Sequence, residues 1–411
     1  MAIYISKPGV MCCAGDSLEE LWESVKSGNQ SGIKKVKTAT DEEFYAARID
    51  DKKLKKSSAR FDMRIMKIEE AALNQIADDI ETVKSKYGAE RVAVCIGSCD
   101  NGTEFSVAGH KKYFENEKFP ENYSLEIQGA DYVATFISEK YGLKGPSNTF
   151  STACSSSASA IIKGAEMLMA DLADAVVVGG IDIASDTVLI GFNSLEAVSS
   201  EITNPFSKNR HGITLGEAGV FFILTKSPIE DKKNRDNGDS PACACGNVNN
   251  RDSPVMLLGW GESADAYHMT SPDPSGAGAE KAMKRALESA GIKPCDVDYV
   301  NMHGTGTKFN DSMEAKAINA VFGDYKVLVS TTKPVTGHTL GAAGALEAAI
   351  CYSSINNVEL PQQVWDGEQD SELPELNIVK KGYKSDKKTK ICLSNSFAFG
   401  GANACLVIGV R

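Results

Sequence analysis

The sequence lacks an apolar run long enough to cross a bilayer. Its longest apolar runs, such as Gly219 to Leu224, are far shorter than the roughly 18 residues that a transmembrane helix needs. It also lacks a basic leader followed by an apolar stretch, so we expect no secretion signal and a cytoplasmic protein. Positive charge is in deficit, because 44 Lys and Arg face 55 Asp and Glu. That balance argues against a nucleic-acid binder, whose affinity comes from cations on phosphates. We expect no nucleic-acid partner and no membrane.

The eleven cysteines show no spacing typical of a disulfide framework, so we expect free thiols in a reducing compartment. Cys243 and Cys245 form a CxC pair, but no CxxC pair or histidine cluster accompanies them. The sequence therefore predicts no metal site, and no other feature indicates a cofactor.

What is present is ample material for a large α/β core, with 42% hydrophobic and 24% charged residues. Short β-branched runs predict buried strands, and they alternate with longer stretches of helical periodicity. A polar stretch from Ser227 to Asp252 separates two such halves, predicted as residues 1–235 and 250–411. Predicted strands include 91–97, 175–179, 220–224, 297–302, 391–394 and 404–408, and predicted helices 17–27, 62–86, 156–170, 279–290, 313–321 and 342–355.

Three side chains stand out as candidates for chemistry. Histidine is scarce, with five in the chain, yet His303 and His338 both lie in turns rich in Gly and Thr. Cys154 lies at a predicted strand-to-helix turn, where the helix N-terminus would lower the pKa of the thiol. Capping or packing roles for the histidines, and a small buried apolar role for the cysteine, are the alternatives from the residues alone. A nucleophilic cysteine with two imidazoles and Lys333 would suit acyl chemistry.

The sequence resembles the β-ketoacyl-acyl-carrier-protein synthases, specifically the elongating type II branch with a Cys-His-His site. The resemblance covers essentially the whole chain and is strongest from about Ser147 onward. It rests on five motifs in order: Thr152-Ala-Cys-Ser155, Asp265-Ala-Tyr-His-Met-Thr-Ser-Pro272, His303-Gly-Thr-Gly-Thr307, Thr332-Lys-Pro-Val-Thr-Gly-His-Thr-Leu-Gly-Ala-Ala-Gly344 and Asn395-Ser-Phe-Ala-Phe-Gly-Gly-Ala-Asn403. It implies a thiolase-like fold with duplicated α/β halves in a five-layer αβαβα arrangement, and a homodimer.

The resemblance also implies a reaction, the decarboxylative Claisen condensation of malonyl-acyl-carrier protein with an acyl group on Cys154. His303 and His338 would hold the malonyl thioester carbonyl. Lys333 would orient this region, with Glu347 as its supporting carboxylate. The backbone N–H groups of Cys154 and Phe399 would form an oxyanion hole. The remaining implied contacts are a gate at Phe399 and pantetheine-binding side chains at Thr305 and Thr307.

Other positions have an alternative interpretation or depart from the family. Asp311 and Glu314 are expected to brace the His303 loop, with exposed helix-surface carboxylates as the alternative. Asp100 stands where relatives carry an apolar residue, and an acid there is unfavourable unless it is paired. His211 replaces an acidic residue of the family, so Arg210 is expected to have a different partner. These departures bear on the type of acyl chain.

The implied partner is an acyl carrier protein, which is acidic, so an acidic enzyme needs a local basic patch to bind it. The candidate lies between Lys52 and Lys67, with docking predicted at Lys55, Lys56, Arg60 and Arg64. A solvated surface segment is the alternative. Two other functions compete with the synthase: a non-catalytic partner subunit resembling a chain-length factor, and an acyl-CoA thiolase.

Overall fold

The computed structural model describes residues 3–229 and 253–411. Cys243, Cys245 and the predicted boundary between residues 235 and 250 lie outside the described residues. The strands are β1 (Ile3–Ile5), β2 (Gly9–Cys12), β3 (Lys34–Lys37), β4 (Glu43–Ala47), β5 (Val92–Gly97), β6 (Ser147–Phe150), β7 (Ala175–Asp182), β8 (Leu215–Gly216), β9 (Ala218–Thr225), β10 (Met256–Ala264), β11 (Tyr299–Asn301), β12 (Leu328–Ser330), β13 (Asn377–Ile378), β14 (Ile391–Phe397) and β15 (Ala402–Gly409).

The helices of the described residues are α1 (Leu18–Ser27), α2 (Arg64–Leu73), α3 (Ala77–Tyr87), α4 (Thr103–Asn116), α5 (Tyr132–Tyr141), α6 (Ser156–Met169), α7 (Asp186–Ser194), α8 (Ala277–Ala290), α9 (Lys308–Phe322), α10 (Lys333–Thr336) and α11 (Ala343–Ser354). None of the described helices is long and apolar enough to cross a membrane.

Two groups of strands form one continuous sheet. The first half runs in the order β6, β5, β7, β9 and β1, and the second in the order β10, β15, β14, β11, β12 and β13. The halves meet where β1 pairs antiparallel with β10, Ile3 opposite Leu257. Strands β5 and β7 are buried at every residue, as their continuous apolar sequences predict.

Helices cover both faces of each half. The core under α2, α3 and α5 lies on the outer face of the first half, and the core under α8 and α9 lies on the outer face of the second. Helices α6 and α11 pack on each other between the two halves. This arrangement is the predicted αβαβα layering, and the predicted thiolase-like fold is confirmed.

A close approach of α6 and α11 brings the two halves together beside the candidate site. A Cβ built on Gly344 would lie 2.8 Å from the Cβ of Ala158, so a larger residue would force the helices apart. Both helices begin with small residues, which suits this tight packing. Cys154 precedes α6 and His338 precedes α11, so the helix contact brings the turns that carry those two side chains close together.

Candidate active site

The candidate nucleophile, Cys154, lies in a strained turn between β6 and α6. Ala153 has a φ of 50°, in the left-handed region that residues with a Cβ rarely adopt. The hydroxyl of Ser156 stabilises the turn, because it accepts from the N–H of Thr152 at 2.9 Å and donates to the carbonyl of Ala153 at 2.5 Å. Cys154 is 5% exposed. The turn therefore presents a buried thiol at the N-terminal end of a central helix.

Both candidate histidines reach the same thiol from the second half. His303 follows β11, and His338 follows α10 through Gly337. Nε2 of His338 lies 2.9 Å from Sγ of Cys154, and the two imidazole rings lie 5.3 Å apart, nearly perpendicular. One ligand-type atom from each of the three side chains lies within 4.8 Å of the others. The three predicted catalytic side chains thus form one buried cluster. The same atoms could ligate a metal ion, and the absence of a resident metal stays a prediction.

Burial sets the charge states in this cluster. The pKa values of His303 and His338 lie well below the usual value because both rings are buried, with the nearby Lys333 cation adding to the effect. Both imidazoles are therefore neutral near pH 7 and can donate an N–H. Burial raises the pKa of Cys154 to about 11, against lowering effects from Lys333 and from a hydrogen bond with the Phe399 backbone. The predicted lowering of the thiol pKa was wrong, because desolvation of the buried thiol outweighs the lowering effects.

Lys333 and Glu347 form a buried ion pair beside the histidines. Nζ of Lys333 contacts Oε1 of Glu347, and both side chains are almost fully buried, at 1% and 4% exposure. Burial raises the pKa of Glu347 to about 7, opposed by the lysine. The predicted partner of Lys333 is thus the one found in the structure.

Two carboxylates hold the loop that carries His303. Glu314 accepts from the N–H of His303 at 2.8 Å and of Gly304 at 2.7 Å. Asp311 accepts from the N–H of Gly306 at 3.2 Å and of Phe206 at 2.8 Å. Both carboxylates are fully buried, which excludes the alternative of exposed helix-surface acids.

A cavity of ≈ 470 Å³ runs from the cluster to the surface. Thr305 and Thr307 line it, and their hydroxyls lie 3.1 Å apart. Phe399 also lines it and stacks on Phe192, with ring centroids 5.8 Å apart. The exposed side chain of Phe309 marks the outer end. The cavity therefore links the exposed Phe309 to the buried Cys154, and we refer to it as the channel, through which a long, flexible arm could reach Cys154.

The structure shows the surroundings of the two departures from the family, Asp100 and His211. Asp100 accepts from the hydroxyl of Tyr132 at 2.5 Å and from the N–H of Gly102 at 2.7 Å. It lines a second cavity, of ≈ 220 Å³. Arg210 contacts Asp370 at 2.5 Å, so it does have another acidic partner, while the neighbouring His211 is exposed and lines the main cavity.

The predicted docking patch is only partly at the surface. Lys55, Lys56 and Arg60 are exposed, and Arg60 pairs with Glu126 at 2.8 Å. Arg64 was a wrong prediction, because its side chain turns inward and is 12% exposed. Its guanidinium pairs with the buried Glu217 and with Asp51. Charge count alone does not reveal that inward turn.

Sequence reasoning named no role for Asp182, which the structure places beside the cluster. It ends β7 and accepts from the N–H of Gly341, three residues after His338. The sequence did offer one indication of a role for Asp182, which directly follows the apolar run Ala175 to Ile181. A carboxylate at the end of a buried strand is costly unless it has hydrogen-bond donors or a cation nearby.

A thiolase-like fold with a buried Cys-His-His cluster defines a thioester-condensing class of protein. Comparisons with known proteins make the assignment finer. The family described as beta-ketoacyl synthase, N-terminal domain, matches residues 3–228, and its C-terminal domain matches residues 255–365. The chain belongs to the β-ketoacyl synthase family.

Individual relatives agree with that assignment. A 3-oxoacyl-[acyl-carrier-protein] synthase 2 from Coxiella burnetii is 33% identical, covering 99% of this chain and 98% of that protein. The protein of the same name from Vibrio harveyi is 32% identical, covering 98% and 97%. Among solved structures, a complex of a ketosynthase with its chain length factor from Xenorhabdus doucetiae matches with a TM-score of 0.88. That match has 34% identity and covers 100% of this chain and 98% of that one.

Proposed function

We propose that this protein is a β-ketoacyl-acyl-carrier-protein synthase that extends a fatty-acyl or polyketide chain by one two-carbon unit. The observation that carries the proposal is the buried cluster of Cys154, His303 and His338 at the inner end of an open channel. An acyl carrier protein is the proposed partner, since the relatives' names specify carrier-bound substrates.

In the first half-reaction, Cys154 takes the acyl group. Its sulfur attacks the thioester carbonyl of the acyl-carrier, the bond from that carbonyl to the pantetheine sulfur breaks, and the thiol proton ends on the departing sulfur. The backbone N–H groups of Cys154 and Phe399 stabilise the oxyanion. The hydrogen bond between the Phe399 backbone and the Cys154 sulfur supports this role.

In the second half-reaction, neutral His303 and His338 donate to the thioester carbonyl of the malonyl-carrier. Carbon dioxide leaves, and the electron pair of the broken C–C bond forms an enolate that the two N–H groups stabilise. The enolate carbon attacks the acyl carbonyl on Cys154, a new C–C bond forms, and the bond to sulfur breaks. The thiolate regains a proton from solvent. Low pKa values keep both imidazoles uncharged, as donation without proton transfer requires.

The other site residues support these steps. Burial keeps the pKa values of both histidines low, and the charge of Lys333, held by Glu347, adds to that effect. Thr305 and Thr307 contact the pantetheine arm in the channel, and Phe399 gates the acyl side. Asp311 and Glu314 fix the position of the His303 loop.

The two competing functions are not favoured. A chain-length-factor-like subunit would need no nucleophile, whereas this chain carries Cys154 with both histidines. A thiolase would need a second reactive cysteine, yet Cys392 and Cys405 are buried and neither lines the main cavity. Burial keeps the pKa of each of these two thiols well above the usual value.

The test is incubation with malonyl-carrier protein and a panel of acyl-carrier thioesters, with products read by intact-protein mass spectrometry. We expect carbon dioxide and a 3-oxoacyl-carrier two carbons longer than the acyl donor. The chain types accepted distinguish fatty-acyl from polyketide substrates. Carbon–carbon bond formation without any need for malonyl-carrier would overturn the proposal in favour of a thiolase.

We further propose a cytoplasmic homodimer. Free thiols support a reducing compartment, since all nine cysteines in the described ranges are unpaired. An open sheet edge supports a dimer, because β6 pairs only with β5 among the described strands. Helix α4, which connects to this edge through the turn Leu125–Gln128 and α5, exposes Val107 and Phe114, at 55% and 80%.

A further inference from the structure

Asp182 is a buried carboxylate that the steps above do not use. It ends β7 and is 2% exposed. It accepts from the N–H of Gly341 at 2.6 Å, from the N–H of Cys99 at 3.1 Å and from the hydroxyl of Ser98 at 3.2 Å. No Lys or Arg within residues 3–229 or 253–411 forms an ion pair with it. Three donors converge on it, and these hydrogen bonds favour its ionised form, which only accepts, against the burial that raises its pKa to about 7.

The first donor belongs to the turn that follows His338. Leu340 in this turn has a φ of 54°, an unfavourable conformation for a residue with a Cβ. The next N–H, that of Gly341, is the one that Asp182 binds. A Cβ on Gly341 would lie 2.5 Å from the Asp182 carboxylate, so only glycine permits this approach. The hydrogen bond therefore stabilises a strained turn next to a catalytic histidine.

The second donor leads to the turn that precedes Cys154. The N–H of Cys99 binds Asp182, and the thiol of Cys99 donates to the carbonyl of Ala153 at 3.3 Å. Ala153 is the residue with a φ of 50° that immediately precedes the nucleophile. One carboxylate therefore connects both strained turns, directly to one and through Cys99 to the other.

We propose that Asp182 is a positioning residue that sets the separation of Cys154 and His338 by holding both turns. The inference rests on the proposed function. The enolate formed at the histidines must reach the acyl carbonyl on Cys154, and a displacement of about 1 Å can cost roughly 100-fold in rate. Asp182 touches neither substrate, and it acts through the backbone of the two turns.

The test compares Asp182→Asn, Asp182→Glu and Asp174→Asn. The asparagine side chain keeps one acceptor oxygen instead of two and carries no charge, so it holds the two turns more weakly. We expect kcat to fall roughly 10- to 100-fold. KM for malonyl-carrier should change little, because the channel residues Thr305 and Thr307 are untouched. Asp182→Glu should recover part of kcat. Asp174, beyond the other end of β7 and bound to Arg91, is the matched control and should leave kcat unchanged.

Amide hydrogen exchange gives a readout that needs no carrier protein. Peptides covering 97–99 and 338–342 should exchange faster in Asp182→Asn than in the wild type, and Asp174→Asn should match the wild type there. The proposal would be overturned if Asp182→Asn left both the exchange rates and kcat unchanged. It would also be overturned if KM rose by the same factor as kcat fell. If the wild type condenses nothing, the proposed function fails, while the exchange comparison still decides whether Asp182 holds the turns.

If Asp182→Asn does not fold, the kcat values of two Cys99 variants test the proposal instead. Cys99→Ala removes the link to Ala153, whereas Cys99→Ser keeps a donor there. The account predicts a lower kcat for the alanine variant and recovery by serine. Equal kcat in both variants would contradict the link.

Discussion

At the scale of the residue, burial determines the direction of the pKa shifts in the candidate site, because nearby charges and hydrogen bonds offset it only in part. It keeps His303 and His338 neutral and raises the pKa of Glu314 to about 7. Hydrogen bonds from the His303 loop and from Asn395 oppose that rise without cancelling it. Burial therefore holds both imidazoles in the uncharged form that the proposed donation to a thioester carbonyl requires.

Glu314 gives a prediction of pH-dependent stability. Its folded-state pKa of about 7 exceeds the ordinary value of 4.5, so the folded state binds the proton more tightly than the unfolded chain. The resulting stabilisation is complete below the unfolded pKa and is lost as the pH rises to about 7. Between pH 5 and 8, the unfolding free energy of the wild type should fall by about 2 kcal/mol more than that of Glu314→Gln.

Chemical denaturation at the two pH values measures this difference. Comparing the change with pH, rather than stability at one pH, removes the cost of replacing a hydrogen-bond acceptor. Equal changes in the two proteins would contradict a raised pKa.

Residue identity at the site was predictable from the sequence, while charge state was not. Cys154, His303, His338 and Lys333 stand in recognisable motifs. The direction of the Cys154 pKa depends on burial by distant segments. The role of Asp182 depends on its contact with Gly341, 159 residues away in the sequence.

At the scale of the element, strands were predicted better than helix boundaries. The apolar runs of β5, β7 and β9 give continuous buried strands, as expected. The predicted helix 62–86 was partly wrong, because it is two helices, α2 and α3. At the break, the side chain of Gln75 donates to the carbonyl of Val10 at 2.7 Å and accepts from its N–H at 3.1 Å. That contact with β2 has no local sequence signal.

The segment that leads into α2 carries the prediction about carrier docking. Lys55 and Lys56 are exposed and form no ion pair with another described residue. Reversing both to Glu should raise KM for malonyl-carrier several-fold at low ionic strength, because repulsion replaces attraction toward an acidic partner. The effect should shrink as salt increases, and kcat should hold.

A matched control is the pair Lys380 and Lys381, also adjacent and exposed, in the second half. Their reversal to Glu changes net charge equally and should leave KM near the wild-type value. An equal rise in KM for both double variants would show that only net charge matters and would contradict a local docking patch.

At the scale of the whole molecule, the two halves form one catalytic body. Cys154 comes from the first half and the histidines from the second, and the contact of α6 with α11 joins them. A length of 411 residues suggests several domains, but the site exists only when both halves pack together. The sequence predicted the duplication, while the pairing of β1 with β10 could not be read from local patterns.

If the proposed dimer forms through α4, a charge placed on that helix should weaken dimerisation, whereas a charge elsewhere on the surface should not. Helix α4 packs on the turn Leu125–Gln128, which contacts α5, and α5 packs on β5 and β6. Val107→Lys on α4 should weaken dimerisation, because it places a charge in an apolar interface. Leu172→Lys is the control, since Leu172 is equally exposed, at 55%, and lies outside α4.

Sedimentation velocity over a range of concentrations measures the dimerisation. The wild type should sediment at twice the chain mass of 43.9 kDa, and Leu172→Lys should match it. A wild type that sediments as a single chain would contradict the homodimer, and an unaffected Val107→Lys would contradict this interface.

The most direct test of the central claim separates the two half-reactions in the same set of variants. Intact-protein mass spectrometry follows acyl transfer to the enzyme, and carbon dioxide release follows decarboxylation of the malonyl-carrier. The account predicts that Cys154→Ala loses the acyl mass shift. His303→Ala and His338→Ala should retain the mass shift and lose carbon dioxide release. Acylation of Cys154→Ala at another residue, or normal release in both histidine variants, would contradict the account.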